Sequence, residues 1–378
     1  MSKPKLMFIV TEDWFFCSHF LPMARAALQD GYEVSVACRV REHSNAIRAL
    51  GYKLLPLEAN RKSINPFAVV SATWRMRGLI KSEQPDIVHL IALRSILLGG
   101  CAARMAGIKR RVIALTGMGL LGAATTLKAR LARAAVKAAI RLGVDGAQVR
   151  YLFENRSDPA LLGLDPDDAG RVLIVGGAGI NPLALTPAPQ QPHTPLKLAM
   201  VARMLWSKGA DTAVEATTLA IKHGAQIELA LYGAPDPGNP KSIPEATLRN
   251  WASQPGITWH GHVNQASVAA IWALHHAAVL PSRGGEGLPR TLLEAAACGR
   301  AILTTNVPGC RDFVRNGTDG FVVAPDDVEA LAQAMMTLVR DPQLVISMGE
   351  AARARVLAGY TETAVGEAVI KLYRAMLI

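Results

Sequence analysis

Short, continuously apolar runs alternate with helical stretches along the chain, in two successive series. Runs that are apolar throughout are typical of parallel strands covered by helices on both faces. We therefore expect an α/β protein with two doubly wound, Rossmann-like parallel sheets whose carboxyl edges face one cleft. The first series predicts strands at Lys5–Val10, Glu33–Ala37, Lys53–Pro56, Asp86–Leu90, Arg111–Leu115 and Val172–Val175, with helices such as Phe20–Gln29, Pro66–Lys81 and Ser95–Ala106. The second predicts strands at Leu198–Val201, Ile227–Tyr232, Ile257–Trp259, Ala278–Pro281, Ala301–Thr305 and Gly320–Val323, with helices at Thr212–His223, Ser267–His276, Thr291–Cys298 and Asp327–Arg340.

A proline-rich segment, Asn181–Lys197, separates the two series. Its five prolines oppose both helix and central strand, so we interpret it as the connection between domains. A chain of 378 residues has room for two domains of ordinary size. The expected organisation is an N-terminal domain of residues 1–180, a C-terminal domain of residues 181–360, and a last helix, 361–378, that crosses back to the first domain.

The composition excludes several classes of protein. With 50% hydrophobic and 19% charged residues, the chain is not intrinsically disordered. Its five cysteines form no C-x-x-C pair, which argues against a disulfide scaffold or a zinc ribbon and favours a reducing compartment. The first apolar run is too short for a signal peptide, and no uncharged apolar stretch of about 20 residues follows. We expect a soluble or membrane-peripheral protein.

Positive charge is concentrated in the first half of the chain. Residues 1–180 contain 25 basic and 14 acidic residues, whereas the rest contains 16 of each, so the whole net charge of +11 lies in the first half. This asymmetry favours an anionic partner, either a membrane surface, a phosphorylated substrate or nucleic acid, over a merely solubilising surface. Nucleic acid is disfavoured because no helix-turn-helix, zinc finger or interleaved aromatic-basic pattern accompanies the charge.

One predicted helix, within residues 125–143, has four of these cations on one side. Arg130, Arg133, Lys137 and Arg141 fall within an arc of about 80°, with the leucines outside it. Two interpretations remain open. The helix could lie on an anionic leaflet, or it could be an ordinary surface helix that packs its apolar side on the sheet.

The segment Ser282–Gly299, with the sequence SRGGEGLPRTLLEAAACG, joins a predicted strand to a helix through a glycine-rich loop. The first amides and the dipole of such a helix suit a diphosphate, and glycines let the backbone approach it closely. Glu286 and Glu294 could accept hydrogen bonds from a sugar and a ribose. Arg203 and Lys208, in VARMLWSKG, follow the first strand of the same series, where two cations could neutralise a departing diphosphate.

Other motifs are weaker. The pattern G-x-G-x-x-G in Thr116–Gly122 follows the fifth predicted strand instead of the first, so we interpret it as a tight loop and not as a dinucleotide site. Asp165-Pro166-Asp167 resembles a metal-binding D-x-D, but it lies in a turn, where these residues are common. Two histidine pairs, one at 260 and 262 and one at 275 and 276, lack a third suitably spaced ligand, so we expect no metal.

The loop after the first strand, Thr11–Pro22, contains the polar residues Glu12, Asp13 and His19 among aromatics. These side chains could hold an acceptor hydroxyl, or they could cap a helix and pack against neighbouring side chains. The sequence leaves both possibilities open.

The motifs SRGGEGLPRTLLEAAACGRAIL and ARMLWSKG resemble the retaining nucleotide-sugar glycosyltransferases of family 4, which have the GT-B fold. NRKSINPF (Asn60–Phe67) and VPGCRDF are similar to segments of bacterial enzymes that assemble surface polysaccharides and glycans. The resemblance implies a UDP-sugar donor, often an N-acetylhexosamine, no metal cofactor, and a polyprenyl-diphosphate-linked acceptor at the inner face of the cytoplasmic membrane.

By the same resemblance, Arg203 and Lys208 would bind the donor diphosphate, Glu286 the donor sugar and Glu294 the ribose. The glycine-rich loop and the following helix start would surround the phosphates through Gly285, Gly287, Leu288 and Thr291, and His19 would act on the acceptor side. Two alternatives remain: a nucleotide-sugar epimerase with the GT-B fold, or a basic module that binds membranes or nucleic acid.

Overall fold

The structure is a computed structural model that describes residues 3–57, 66–117, 126–189, 193–236 and 238–378. The chain divides into two compact units. Unit 1 comprises Met1–Gly179 and Glu362–Ile378, and unit 2 comprises Ile180–Thr361. No helix in the described part of the chain is long and apolar enough to cross a membrane.

Unit 1 is built on a parallel sheet of seven strands in the order β3-β2-β1-β4-β5-β6-β7. Every residue of β4 and β5 is buried, including His89 of β4 and Arg111 of β5, as expected for parallel strands covered on both faces. The strand order reverses direction between β1 and β4, which is where open sheets of this kind bind ligands. The strands are β1 (Lys5–Glu12), β2 (Glu33–Arg39), β3 (Lys53–Pro56), β4 (Ile87–Ile91), β5 (Arg111–Leu115), β6 (Val149–Phe153) and β7 (Val172–Ile174).

Strand β6 is absent from our sequence prediction. It pairs in parallel with β5 and β7, and Tyr151, Leu152 and Phe153 are buried. The partly exposed Arg150 interrupts its apolar run, which weakens the sequence pattern, although the aromatic and β-branched residues around it favour a strand.

Helices cover both faces of the first sheet. They are α1 (Asp13–Phe15), which continues into a π-helix (Phe16–Phe20), α2 (Leu21–Gln29), α3 (Ser44–Ala49), α4 (Pro66–Glu83), α5 (Ala92–Met105), α6 (Leu127–Gly143) and α7 (Asp158–Leu162), with α15 (Glu362–Leu377) from the end of the chain. Residues of α4, α5 and α6 share one apolar cluster with the sheet, and residues of α2 and α15 share the other. Helix α15 is anchored by a buried hydrogen bond of 2.5 Å between Tyr373 Oη and His89 Nδ1 on β4.

Unit 2 contains a parallel sheet of six strands in the order β10-β9-β8-β11-β12-β13, which reverses direction between β8 and β11. Its strands are β8 (Leu196–Val201), β9 (Ile227–Tyr232), β10 (Ile257–Trp259), β11 (Ala277–Leu280), β12 (Ala301–Thr305) and β13 (Gly320–Val323). Its helices are α8 (Ala210–Lys222), α9 (Glu245–Ala252), α10 (Val268–Leu274), α11 (Arg290–Ala297), α12 (Cys310–Phe313), α13 (Val328–Arg340) and α14 (Pro342–Gly359), with 3-10 turns at Trp206–Lys208 and Gln265–Ser267.

The proline-rich segment packs on unit 2. Leu185 is buried in the core of this unit, and its carbonyl accepts a hydrogen bond of 3.2 Å from Arg353 Nη1. The carbonyl of Ala188 accepts another, of 2.9 Å, from Arg300 Nη2. Strand β8 begins at Leu196, two residues earlier than predicted and inside this segment.

Candidate active site

The candidate donor residues follow two neighbouring strands of unit 2. Arg203 and Lys208 come after β8, and Glu286 comes after β11, which pairs with β8 in parallel. The carboxyl ends of both strands therefore meet where the strand order reverses, which is the usual ligand site of a doubly wound sheet.

Lys208 and Glu286 form an ion pair between Nζ and Oε1, and both side chains are mostly buried. Both residues were expected at this edge from the sequence, but their direct contact was not. Cys310 lies near this pair, and burial raises the pKa of its thiol to about 12. The ion pair holds the ammonium group of Lys208 in a defined position at the end of the sheet.

Two glycines allow the loops of this site to approach one another. Gly209, directly after Lys208, has a φ of 75°, and a Cβ there would collide with the carbonyl oxygen of Pro281 at the end of β11. Gly309 has a φ of 80°, and a Cβ there would collide with the carbonyl oxygen of Gly287. These close approaches require glycine, since both positions are left-handed and have no space for a side chain.

Arg283 joins the 3-10 turn Trp206–Lys208, which we call the lysine turn, to the glycine-rich loop, and the sequence alone did not suggest this role. Its guanidinium donates two hydrogen bonds of 2.8 Å to Asp211 at the start of α8, and one of 2.5 Å to Asp326. It also bonds to the carbonyl of Trp206, and its own backbone NH donates to the carbonyl of Ser207 at 2.9 Å. The residues on both sides of Lys208 are thereby attached to the loop that carries Glu286.

The start of helix α11 follows the glycine-rich loop. The Oγ1 atom of Thr291 is buried and has no hydrogen-bond partner among the described residues. Glu294, one turn further on, is buried, and its Oε1 accepts hydrogen bonds of 2.8 Å from both Arg290 and Gln265. The helix therefore presents its positive end and an orphaned hydroxyl next to the loop of Gly285, Gly287 and Leu288.

Arg203 contacts a carboxylate outside the lysine pair. Its Nη1 lies 2.9 Å from Asp236 Oδ2, and its side chain is about half exposed. Asp236 also organises its own loop, since its Oδ1 accepts a hydrogen bond of 3.1 Å from the NH of Gly238. Arg203 thus follows β8 at the same edge of the sheet, but its guanidinium is paired with the carboxylate of Asp236.

His19 lies in unit 1, on the π-helix after β1. Its Nδ1 is 2.6 Å from Ser18 Oγ, and its ring centroid is 4.6 Å from that of Phe15. Of the two acids before it, Asp13 is fully buried and accepts hydrogen bonds from the backbone NH groups of Trp14, Arg41 and His43, at 2.7, 2.6 and 3.1 Å. Asp13 therefore fastens the loop after β2.

Glu12 also has a structural role. It is buried and faces Arg39 at 3.8 Å and Arg41 at 3.4 Å. Its carboxylate is thereby neutralised by two cations of β2 and the following loop.

The structure also places the weaker motifs. Asp165 Oδ1 accepts a hydrogen bond of 2.9 Å from the NH of Asp167, as the turn interpretation predicts. Residues 118–122 of the G-x-G-x-x-G segment lie outside the described residues. His260 stacks on Tyr232 at 4.5 Å, and His275 bonds to the carbonyl of Ile271 at 2.7 Å. Across the described ranges, no group of three or more potential metal ligands comes together.

Comparison with protein families agrees with this architecture. Residues 5–147 match a family described as glycosyl transferase 4-like, and residues 195–341 match one described as glycosyl transferases group 1. Together the two matches cover more than half of the chain. The protein is a glycosyltransferase whose two halves match these two families, as the motifs predicted.

Among curated proteins, the chain is 26% identical over 372 residues to the N,N'-diacetylbacillosaminyl-diphospho-undecaprenol alpha-1,3-N-acetylgalactosaminyltransferase of Campylobacter jejuni, which covers 94% of both chains. It is 25% identical over 382 residues to the GDP-mannose-dependent alpha-(1-6)-phosphatidylinositol monomannoside mannosyltransferase of Mycolicibacterium smegmatis, which covers 92% of both.

Among solved structures, sucrose-phosphate synthase from Thermosynechococcus elongatus superposes with a TM-score of 0.80 at 18% identity, over 99% of both chains. Anabaena HepE in complex with UDP and glucose superposes with a TM-score of 0.78 at 13% identity, over 98% of this chain and 100% of HepE. These similarities concern the fold alone, and they confirm the expected α/β architecture of the GT-B type with two parallel sheets.

Proposed function

We propose that the protein transfers a sugar from a UDP-sugar to a hydroxyl of a polyprenyl-diphosphate-linked glycan, with retention of configuration, in bacterial glycan or polysaccharide biosynthesis. The single observation that supports this most is the Lys208–Glu286 ion pair at the reversal point of the second sheet, beside the start of α11. The Campylobacter relative, whose name specifies an undecaprenol-linked acceptor and N-acetylgalactosamine transfer, supports the acceptor class and an N-acetylhexosamine donor.

In this proposal the residues of unit 2 bind the donor. Lys208 and Arg203 neutralise the diphosphate, while the α11 amides and the Thr291 hydroxyl donate hydrogen bonds to its oxygens. Glu286 accepts hydrogen bonds from the sugar and holds Lys208 in place, and Glu294 binds the ribose. Gly285, Gly287 and Leu288 let the loop approach the phosphates. These side-chain cations supply the charge stabilisation, so we propose that no metal is required.

The proposed reaction exchanges one bond to the anomeric carbon for another. The acceptor oxygen attacks on the face that the diphosphate leaves, the bond from carbon to phosphate oxygen breaks, and the departing phosphate takes the hydroxyl proton. Lys208, which Glu286 already holds in place, stabilises the developing charge with little reorganisation, and Arg203 adds to this once it turns from Asp236 to the diphosphate. His19 is proposed to orient the acceptor, and its Nδ1 is already directed to Ser18 at 2.6 Å.

Substitution of the ion pair tests this assignment. Glu286→Ala and Lys208→Ala should each lose most turnover while remaining folded, because each removes a group that contacts the donor. Glu245→Ala and Arg249→Ala are matched controls, since these residues form an exposed ion pair on α9 of the same unit, at 2.5 Å. Normal turnover in both site variants, measured with a panel of UDP-sugars and GDP-mannose, would refute the site.

The product distinguishes the alternatives. Transfer of label to a lipid-linked acceptor supports the proposal, whereas a changed free sugar would identify an epimerase, and no reaction with any donor would favour a binding module. Activity that survives a metal chelator supports the metal-free mechanism, and activity that requires an added metal ion contradicts it.

We further propose an anionic membrane surface as a partner and a peripheral location at the inner face of the cytoplasmic membrane. The support is the charge of the first half of the chain and the cationic side of α6, formed by Arg130, Arg133, Lys137 and Arg141. Binding to anionic vesicles that is unchanged after all four are neutralised would contradict this part.

A further inference from the structure

Helix α6 directs its leucines away from the core of unit 1. Ala129 and Ile140 are its buried residues, whereas Leu127, Leu131 and Leu142 are 69%, 63% and 78% exposed. At 100° per residue these leucines fall within an arc of about 60°. A surface helix packed by its apolar side would need them against the sheet, and they lie on the opposite side.

The cations of α6 begin at one border of this leucine strip: at 100° per residue, Arg141 and Arg130 lie about 40° and 60° from Leu127, and Lys137 and Arg133 lie about 80° and 120° from it. Arg130 and Arg141 are exposed. Arg133 and Lys137 are half-buried and lie on the side of α6 that faces α7. The side chain of Lys137 reaches Gly163, the residue that ends α7. An apolar strip with cations along its border is the pattern of a helix that lies in a membrane interface.

A second apolar strip lies on α4. Phe67, Val70 and Trp74 are 85%, 55% and 53% exposed, at positions i, i+3 and i+7 of the helix. The opposite side of α4 is buried through Met76 and Ile80. Tryptophan is a residue that interfaces between lipid and water favour, because its ring is apolar and its NH is polar.

The two strips belong to the same layer of unit 1. Helices α4, α5 and α6 share the apolar cluster on one face of the first sheet, and α5 packs against both of the others. Each of these helices follows a parallel strand, so its first half lies towards the carboxyl edge of the sheet. Leu127 and Leu131 of α6, and the whole strip of α4, lie in those first halves.

We propose that the leucine strip of α6 and the Phe67–Trp74 strip of α4 insert together into the boundary between headgroups and acyl chains of an anionic bilayer, with the α6 cations on the lipid phosphates. This inference rests on the proposed function, in which the acceptor is lipid-linked. A second copy of the chain is a poorer occupant, because a symmetric contact through this surface would bring the same cations together.

Vesicle binding without any donor or acceptor tests the inference. The variants are Leu127→Gln with Leu131→Gln, and separately Phe67→Gln with Trp74→Gln. Leu183→Gln is the matched control, since Leu183 is an exposed leucine of unit 2. Co-sedimentation uses vesicles of phosphatidylcholine alone and of phosphatidylcholine mixed equally with phosphatidylglycerol.

The wild-type protein and Leu183→Gln should bind the mixed vesicles equally well and the neutral vesicles more weakly. Each double variant should bind the mixed vesicles about tenfold more weakly, with an unchanged melting temperature because the side chains are exposed. Wild-type binding in both double variants would overturn the inference. Self-association that disappears in the double variants while vesicle binding persists would overturn it too, and would identify a second copy as the occupant.

Turnover distinguishes this inference from the proposed function. The double variants should retain wild-type turnover on a water-soluble, short-chain prenyl-diphosphate acceptor and lose it on a long-chain acceptor embedded in vesicles. If the wild-type protein binds vesicles through the strips but transfers no sugar to either acceptor, the proposed function fails and the membrane surface stands. If the wild-type protein transfers sugar to both acceptors and the double variants match its turnover on the vesicle-embedded acceptor, the inference about the membrane surface is wrong.

Discussion

Arg283→Met should separate the lysine turn from the glycine-rich loop and weaken both folding and turnover. The guanidinium is 28% exposed and its main partner Asp211 is 21% exposed, so solvent screens the pair only in part. Hydrogen bonds to charged groups contribute about 1.5–3 kcal/mol and exposed pairs about 0–1 kcal/mol. We take the two bonds to Asp211 as about 2 kcal/mol in total, and the contact with the more exposed Asp326 as about 0.5 kcal/mol.

The expected loss in the free energy of unfolding is therefore about 2.5 kcal/mol, or about 5–10 °C in melting temperature for a unit of this size. Urea unfolding of Arg283→Met, Asp211→Asn and the double variant measures the coupling between the two residues. We expect a coupling energy of about 2 kcal/mol. Arg249→Met, which breaks the exposed pair with Glu245, should change stability by less than about 0.5 kcal/mol.

Turnover provides the second half of this test. If Arg283 acts through the position of Lys208, Arg283→Met should reduce kcat in the wild-type background and have no further effect on kcat in Lys208→Ala. Its effect on stability should persist in both backgrounds. The reasoning would be refuted if the stability losses of Arg283→Met and Asp211→Asn were additive in the double variant. It would also be refuted if Arg283→Met reduced kcat in the Lys208→Ala background by the same factor as in the wild-type protein.

Three further predictions concern separate parts of the molecule. Gly209→Ala should lower the melting temperature and turnover, because its Cβ would collide with the carbonyl of Pro281; unchanged values in both assays would contradict this. Asp236→Asn should lower the donor KM up to about fivefold by releasing Arg203 from a competing carboxylate, and a raised KM would show that the carboxylate helps instead. Burial lowers the pKa of His89 from 6.5 to about 3. As the pH falls below about 6.5, the unfolded chain therefore binds a proton that the folded chain does not. The free energy of unfolding should fall between about pH 6.5 and 3, by up to about 1.4 kcal/mol per pH unit. Urea unfolding across this range should give a shallower pH dependence for His89→Gln, and an equal slope would exclude His89 as the cause.

Local patterns were sufficient to predict most of the sheets. Buried strands such as β11 are apolar throughout, β4 and β5 are apolar apart from His89 and Arg111, and the alternation with helices indicated two doubly wound units. The exception is β6, where Arg150 breaks the run. The position of Lys208 and Glu286 at one sheet edge also followed from sequence, because each comes directly after a predicted strand and parallel strands end at the same edge.

Features that depend on distant residues could not be predicted in this way. Arg283 contacts Asp211 and Asp326, which are 72 and 43 residues away, so no local motif shows that it holds the site together. Likewise, helical periodicity separates leucines from arginines on α6 but does not say which side faces the sheet. Tertiary packing decides that, and it places the leucines outward.

The return of α15 to unit 1 has a consequence for how the polypeptide is made. The strands β1 to β7 are synthesised long before Glu362–Leu377, and the whole of unit 2 is translated in between. The face of the first sheet that α15 covers therefore stays uncovered during that time. Unit 2 needs no later residue for its fold, whereas unit 1 needs α15, and a premature stop before Glu362 would leave the apolar partners of α15 open to chaperones and proteases.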